Sequence, residues 1–275
     1  MNEKITGSIV LYKNNTEKLT NSINSYLNYS VGGQLYLVDN SPTDYLKNIC
    51  TDSRITYHHN PSNPGFGASH NMAMELAKIE GSKFHFIINP DVYFNQDVIT
   101  PMVTFMAKNP DVGMMMPEIL YPDGRVQYLP KLLPHPSWLV KRKFTHFLRQ
   151  DNKLVQKYEL RSFPQGEQYN SPILSGCFTL LSLKAIEEVG GYDDSFFMYF
   201  EDFDLSRRMH MKYKTLYFPQ VSVYHEYESG ANKSPRLFKV FLKSAVIYFN
   251  KWGWLVDRER DIINKKTLSQ FKCKL

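Results

Sequence analysis

The first hundred residues of this 275-residue chain alternate short β-favouring runs with longer segments of helical spacing, and that alternation constrains the fold most. Residues 5–12, 34–38, 54–58 and 84–88 read as strands. Between them, residues 16–29 repeat apolar side chains at Leu19, Ile23, Tyr26 and Leu27, and residues 68–79 set Met72, Leu76 and Ile79 on one stripe. Such alternation predicts an α/β fold, a mostly parallel Rossmann-like sheet flanked by crossover helices. Ligands of open sheets of this kind collect beyond the carboxyl ends of the strands. Asp39 and Asp91 each fall where a strand stops, in the turn clusters Asp39-Asn40-Ser41-Pro42 and Asn89-Pro90-Asp91.

Periodicity fades over residues 121–171, a stretch punctuated by prolines and containing Trp138. A loop of that length inside a compact domain is more often functional than idle. Residues 177–183 resume as a buried strand, 184–189 as a short helix stopped by Gly190-Gly191, and 215–218 and 221–225 as two further strands. The tail from Pro235 reads as a helical extension, with proline at the first turn, where its missing N–H is harmless.

A net charge of +6 admits nucleic acid, an anionic membrane surface or a phosphorylated small molecule as partner. Nucleic acid is set aside, because no recognition-helix or aromatic RNA-binding pattern occurs and the bases stay scattered until the last third. No apolar run is long enough to span a bilayer, and the N-terminus lacks a signal-like apolar region, so a cytoplasmic location is expected. Cys50, Cys177 and Cys273 are too few and too widely spaced for a disulfide framework or a zinc knuckle.

Chemistry concentrates in Phe200-Glu201-Asp202-Phe203-Asp204-Leu205, where three acids open a helix among Phe196, Phe197, Tyr199, Phe200 and Phe203. Capping and the helix dipole account for one acid there. Carboxylates crowded against water-excluding aromatics have shifted protonation equilibria, as a general base requires. The run Asn63-Pro64-Gly65-Phe66-Gly67, followed by Asn71, joins a strand to a helix whose free N–H groups suit an anion. It matches neither a dinucleotide fingerprint nor a P-loop, and alone it reads as a glycine turn. Asp91 is either a turn residue or a hard-oxygen ligand for Mg²⁺ or Mn²⁺. His225, closing a strand beside Glu226, is either a satisfied polar residue or a manganese-compatible ligand.

Taken in order, these motifs, with Ser175-Gly176-Cys177, Gly190-Gly191-Tyr192-Asp193 and Arg208, resemble the inverting family-2 glycosyltransferases of the GT-A fold, and within them the rhamnosyltransferase-like branch. The resemblance runs from Ile9 to about His225. It implies a GT-A domain over residues 1–228, with a nucleotide-binding part (1–120) and an acceptor-binding and catalytic part (121–228), followed by the helical extension 229–275. It further implies that Asp39 contacts the nucleotide base and that Asn63, Gly65, Gly67 and Asn71 lie along the nucleotide. Asn89 stands where many relatives carry the first acid of an Asp-x-Asp motif. Asp91 would bind Mn²⁺ or Mg²⁺ with help from His225. Asp202 would be the catalytic base, Glu201 and Asp204 would shape its surroundings, and Arg208 would belong to the donor site as an ion partner of Asp204.

The donor implied is a nucleotide-sugar, dTDP-rhamnose first, with UDP-galactofuranose or UDP-N-acetylglucosamine as runner-up. The acceptor would be a hydroxyl of an O-antigen or capsular glycan, free or lipid-linked. A non-catalytic nucleotide- or glycan-binding protein is the reading from another class. The tail interleaves Leu237, Phe238, Phe241, Tyr248, Phe249, Trp252 and Trp254 with Lys239, Lys243 and Lys251. Packing on the sheet leads there, ahead of peripheral contact with the inner face of a membrane and of a homodimer contact.

Overall fold

The computed structural model describes residues 3–139, 141, 153–227 and 234–271. Nine strands form one sheet: β1 (Ile5–Leu11), β2 (Gln34–Asp39), β3 (Ile55–His59), β4 (Phe84–Ile88), β5 (Val92–Tyr93), β6 (Val112–Leu120), β7 (Tyr169–Asn170), β8 (Phe178–Ser182) and β9 (Lys214–His225). Their order is β3-β2-β1-β4-β8-β6-β9-β5, with β7 beside β9. The α-helices include α1 (Thr16–Tyr29), α2 (Phe66–Ile79), α3 (Ile99–Lys108), α4 (Lys153–Tyr158), α5 (Leu183–Val189), α6 (Glu201–Lys212), α7 (Pro235–Trp252) and α8 (Arg258–Ser269).

The N-terminal strands β1 to β4 are parallel to one another, as the alternation predicts. Beyond them the sheet is mixed: β8 runs antiparallel to both β4 and β6, whereas β6 and β9 are parallel. The chain winds outward from β1 to β3 and returns to β4 on the other side of β1. That reversal opens a crevice beyond the strand ends. Register aligns those ends, with Leu11 opposite Asp39 and Asp39 opposite His59. The antiparallel pairing of Ile88 with Phe178 then delivers the start of β8 to the same edge. The core lies on both faces of this sheet; strand β4 is buried along its whole length.

Several elements depart from the sequence reading. α2 begins two residues earlier than expected, at Phe66. The segment from Val92 to Leu120, passed over above, supplies β5, α3 and β6. The two late strands are one, β9, because a register shift opposite Pro117 and Glu118 absorbs Pro219 without ending the ladder. The tail is two helices, since α7 stops at Gly253, whose φ of 101° would strain any other residue.

The first tail helix packs with its inner face on α6 and the loop before it rather than on the sheet itself. Phe196, Phe200, Tyr248 and Phe249 form a second buried cluster, joined by Phe203, Phe241 and Trp252. Arg207 of α6 is 1% exposed and holds Asp257 through two hydrogen bonds of 2.7 and 2.8 Å. Its guanidinium also lies 4.2 Å from the Trp252 ring centroid. Asp257 in turn caps α8 by accepting from the Arg260 N–H. Asp257→Ala strands a buried guanidinium and should cost about 3–5 kcal/mol, read as a lowered midpoint in urea denaturation of the full chain.

Candidate active site

The carboxyl edge of the sheet brings the separated motifs together through one tripeptide. In Ser175-Gly176-Cys177, the Gly176 N–H donates to Asp202 Oδ2 at 3.3 Å, and the Cys177 carbonyl accepts from the Asn89 N–H at 2.7 Å. The turn after β4 and the start of α6 are therefore pinned to the same three residues. β5 pairs Val92 with His225, and the Glu226 N–H donates to the Asp91 carbonyl at 3.0 Å. That pairing sets His225 Nε2 3.4 Å from Asp91 Oδ1. The buried Oδ1 has no hydrogen-bond partner among the described residues. Gln127 fixes the far side of the imidazole, its Oε1 3.1 Å from Nδ1 and its amide donating to the His225 carbonyl at 2.7 Å. Burial opposes an imidazolium there, yet the Cys177 sulfur and the Asp91 carboxylate outweigh it and lift His225 to about 10.

The three acids of α6 have three different environments. Asp202 is half-buried, and the Phe203 N–H donates to its Oδ1 at 2.9 Å. Desolvation raises its pKa; the backbone donors Gly176 and Phe203 and the positive charge of Lys131 restrain the rise. Glu201 is 5% exposed, with Oε2 unpartnered among the described residues. Desolvation and then the Asp202 charge push it well above the usual carboxylate range.

Asp204 is fully buried and saturated. It accepts from Arg208 Nε and Trp252 Nε1, each at 2.8 Å, and lies 2.9 Å from Lys251 Nζ. The expected ion pair with Arg208 is present, and with Trp252 and Lys251 it makes Asp204 an anchor beside Asp202.

The remaining expected donor-site residues divide. Asp39 sits at the end of β2 as anticipated, but it is fully buried, accepting from the Ser41 N–H at 2.8 Å and the Tyr57 hydroxyl at 2.6 Å. Gly65 and Gly67 bring α2 against the loop before α6. A Cβ on Gly65 would lie 2.3 Å from the Phe197 carbonyl oxygen, and one on Gly67 would lie 2.7 Å from Tyr192 Cβ. Both glycines are thus explained by close approach of the protein to itself. Asn63, half-buried with φ of 48°, shapes the same turn. Asn71 staples that loop, accepting from the Tyr192 N–H and donating to the Tyr192 carbonyl, each at 2.8 Å. Arg208, expected at the donor, spends its nitrogens on Asp204 and on the carbonyls of Val189, Gly190 and Gly191.

Sequence reasoning missed Gln127 and Lys131, both buried and both from the proline-punctuated stretch. Their only signal was a polar side chain between apolar neighbours in a segment without periodicity. It also missed Tyr192 as more than a turn residue. Its hydroxyl is buried without a partner among the described residues, and the charges of Asp202 and Glu201 act on it.

Residues 8–190 match the model of glycosyl transferase family 2. The chain belongs to that family. It is 26% identical over 194 residues to an N-acetylglucosaminyl-diphospho-decaprenol L-rhamnosyltransferase of Mycobacterium tuberculosis, covering 63% of this chain and 59% of the relative. It is 24% identical over 190 residues to the low-salt glycan biosynthesis hexosyltransferase Agl10 of Haloferax volcanii, covering 67% of this chain and 56% of that one. The chain thus spans less than two thirds of these relatives. Among solved structures, GalNAc-T7 with UDP, GalNAc and Mn²⁺ superposes with a TM-score of 0.65 at 16% identity, over 90% of this chain and 48% of that one. S. aureus TarS follows with a TM-score of 0.60 at 15% identity, over 98% of this chain and 43% of that chain. The fold is that of the GT-A glycosyltransferases.

Glu201 offers a direct test of the electrostatics. A buried carboxyl with a raised folded-state pKa is at no cost while protonated, and its stability contribution is lost as pH climbs through that pKa. Wild-type stability should therefore fall as pH rises above about 4.5, by up to about 1.4 kcal/mol per pH unit until the raised folded-state pKa is passed, and Glu201→Gln should flatten the fall. Thermal denaturation at a series of pH values reads both.

Proposed function

We propose that this member of glycosyl transferase family 2 transfers a sugar from a nucleotide-sugar donor to an acceptor hydroxyl with inversion at the anomeric carbon. The observation that carries the reading is the Ser175-Gly176-Cys177 bridge, which holds the Asp91–His225 pair and Asp202 at one edge of the sheet. Each half of the chemistry needs one of those groups.

Asp202 is the base. Its raised pKa makes it a stronger proton acceptor than a free aspartate, and the two backbone donors fix its carboxylate while leaving each oxygen a lone pair. It takes the proton of the acceptor hydroxyl as that oxygen bonds to the sugar C1. The bond from C1 to the diphosphate breaks on the opposite face, and the nucleoside diphosphate leaves with the electron pair. No covalent enzyme intermediate is required.

The residues present fit a divalent cation, Mn²⁺ or Mg²⁺. Asp91 Oδ1 is a buried carboxylate oxygen with no hydrogen-bond partner among the described residues, and it faces His225 Nε2, whose proton a bound cation would have to displace. No group of three or more candidate ligands occurs among the described residues, so Asp91 and His225 would hold the ion only in company with donor oxygens and water. Bound there, the cation would neutralise charge on the departing diphosphate. The relative named as an L-rhamnosyltransferase supports a rhamnosyl donor, for which dTDP-rhamnose is our first choice and UDP-sugars the second; a hydroxyl of a bacterial surface glycan is the acceptor we propose.

Release of nucleoside diphosphate from a panel of nucleotide-sugars with Mn²⁺ tests the activity. A protein that binds a donor without ever releasing its diphosphate would be a binding module instead. Asp202→Asn should lower turnover by about 10²–10⁴-fold, with nucleotide affinity nearly unchanged in calorimetry. Asp91→Ala should weaken nucleotide binding in the presence of Mn²⁺ and leave it unaltered in its absence.

A further inference from the structure

The inner face of α7 is buried against α6, but its outer face is not. Leu242 and Val246 are exposed one helical turn apart, and Asn250 continues the row to Trp254, whose indole N–H donates to the Asn250 side chain at 2.8 Å. Trp254 is followed by Leu255 and Val256, which are 73% and 81% exposed. Arg236, Lys239 and Lys243 flank the row, exposed and without an ion partner among the described residues. From Pro235 to Val256 there is no acidic residue.

We propose that this face, the outer side of α7 with the Trp254-Leu255-Val256 turn, docks on an anionic lipid surface. The apolar side chains would enter the headgroup boundary while the cations meet lipid phosphates, their stems lying along apolar surface. The charge pattern selects that occupant over a second copy of the chain. Pairing the α7 rows of two copies would set Arg236, Lys239 and Lys243 against their like, since the exposed acids that follow, Glu259 and Asp261, lie on α8 beyond the turn, and that repels. Crossing the bilayer is not at issue, because no helix among the described residues is long and apolar enough. The inference stands on the surface alone and does not depend on the proposed reaction.

Co-sedimentation of the full chain with vesicles tests it, using phosphatidylcholine alone against phosphatidylcholine containing about one quarter phosphatidylglycerol. The protein should pellet with the anionic vesicles and return to the supernatant at about 0.5 M salt, where screening is nearly complete over the contact distance. Lys239→Glu with Lys243→Glu should weaken binding about tenfold or more. Leu255→Ser with Val256→Ser should also abolish pelleting, and both double variants should keep the wild-type circular dichroism spectrum and diphosphate release. The proposal is overturned if the wild-type chain stays in the supernatant, if either double variant pellets as well as wild type, or if light scattering shows self-association through this face without vesicle binding. Pelleting is read with protein and lipid only, so failure there leaves the transferase reading intact, and inactivity toward every donor leaves the lipid result intact.

Discussion

The candidate site depends on two aromatic residues held in backbone conformations they resist. Tyr199 and Phe200, immediately before α6, have φ of 69° and 67°, the left-handed region that costs a side-chain-bearing residue about 1–3 kcal/mol each. Phe200 is the residue from which α6 starts, so its conformation decides where Glu201 and Asp202 emerge. The compensation is aromatic. The Phe200 ring lies 5.3 Å from Phe241 and 5.5 Å from Tyr248, and Tyr199 lies 5.8 Å from Phe241, all of them partners on α7. Strain at the helix start and packing of the C-terminal extension are thus one energetic unit.

Three acids within four positions then acquire three roles by surroundings alone. Asp204, one helical turn before Arg208 and beneath Trp252 and Lys251, meets cationic and neutral donors enough to stay a buried, spent anchor. Glu201 meets only its own backbone N–H, and desolvation and then the Asp202 charge push its pKa up. Asp202 lies between these extremes, desolvated yet held by two backbone N–H groups, which is the compromise a base needs: ionisable, oriented and still reactive. Were both ionised, two adjacent charges would compete for the same poor solvation, so the raised pKa of Glu201 favours leaving the charge on Asp202.

The sequence exposed those parts of the fold whose signal is local. Residues 16–29 and 84–88 emerged with the boundaries α1 and β4 have, because an amphipathic stripe and a continuous apolar run are each set by neighbouring residues. β6 was invisible since Met114-Met115-Met116 favours neither period, and only its pairing with β8 and β9 makes it a strand. Strand ends and a helix start were enough to set Asp39, Asp91, Asp202 and His225 at the carboxyl edge of the sheet, whatever each does there. What could not be read is which polar groups are already satisfied. Asn71 and Arg208 carry the residue types of ligand contacts, yet their hydrogen bonds go to carbonyls more than fifteen residues away. Partnering of that kind is a tertiary fact, absent from any spacing along the chain.

The helical extension is therefore not an appendage whose two faces can be considered apart. Trp252 donates to Asp204 and stacks on Arg207, and Asp257 neutralises that arginine, so the inner face of the extension completes two buried charges on α6. A buried charge deprived of its partner costs several kcal/mol, far more than any exposed lysine contributes on the other side. The outer face carries no such buried charge, and Leu255 and Val256, 73% and 81% exposed, bury little apolar surface of their own. Their exposure just beyond the helix that carries Arg236, Lys239 and Lys243 is what the proposed lipid contact would use. A contact there would bear on the same rigid helix whose inner rings hold Tyr199 and Phe200 in place, so the position of the molecule on a surface and the position of Asp202 share a single support.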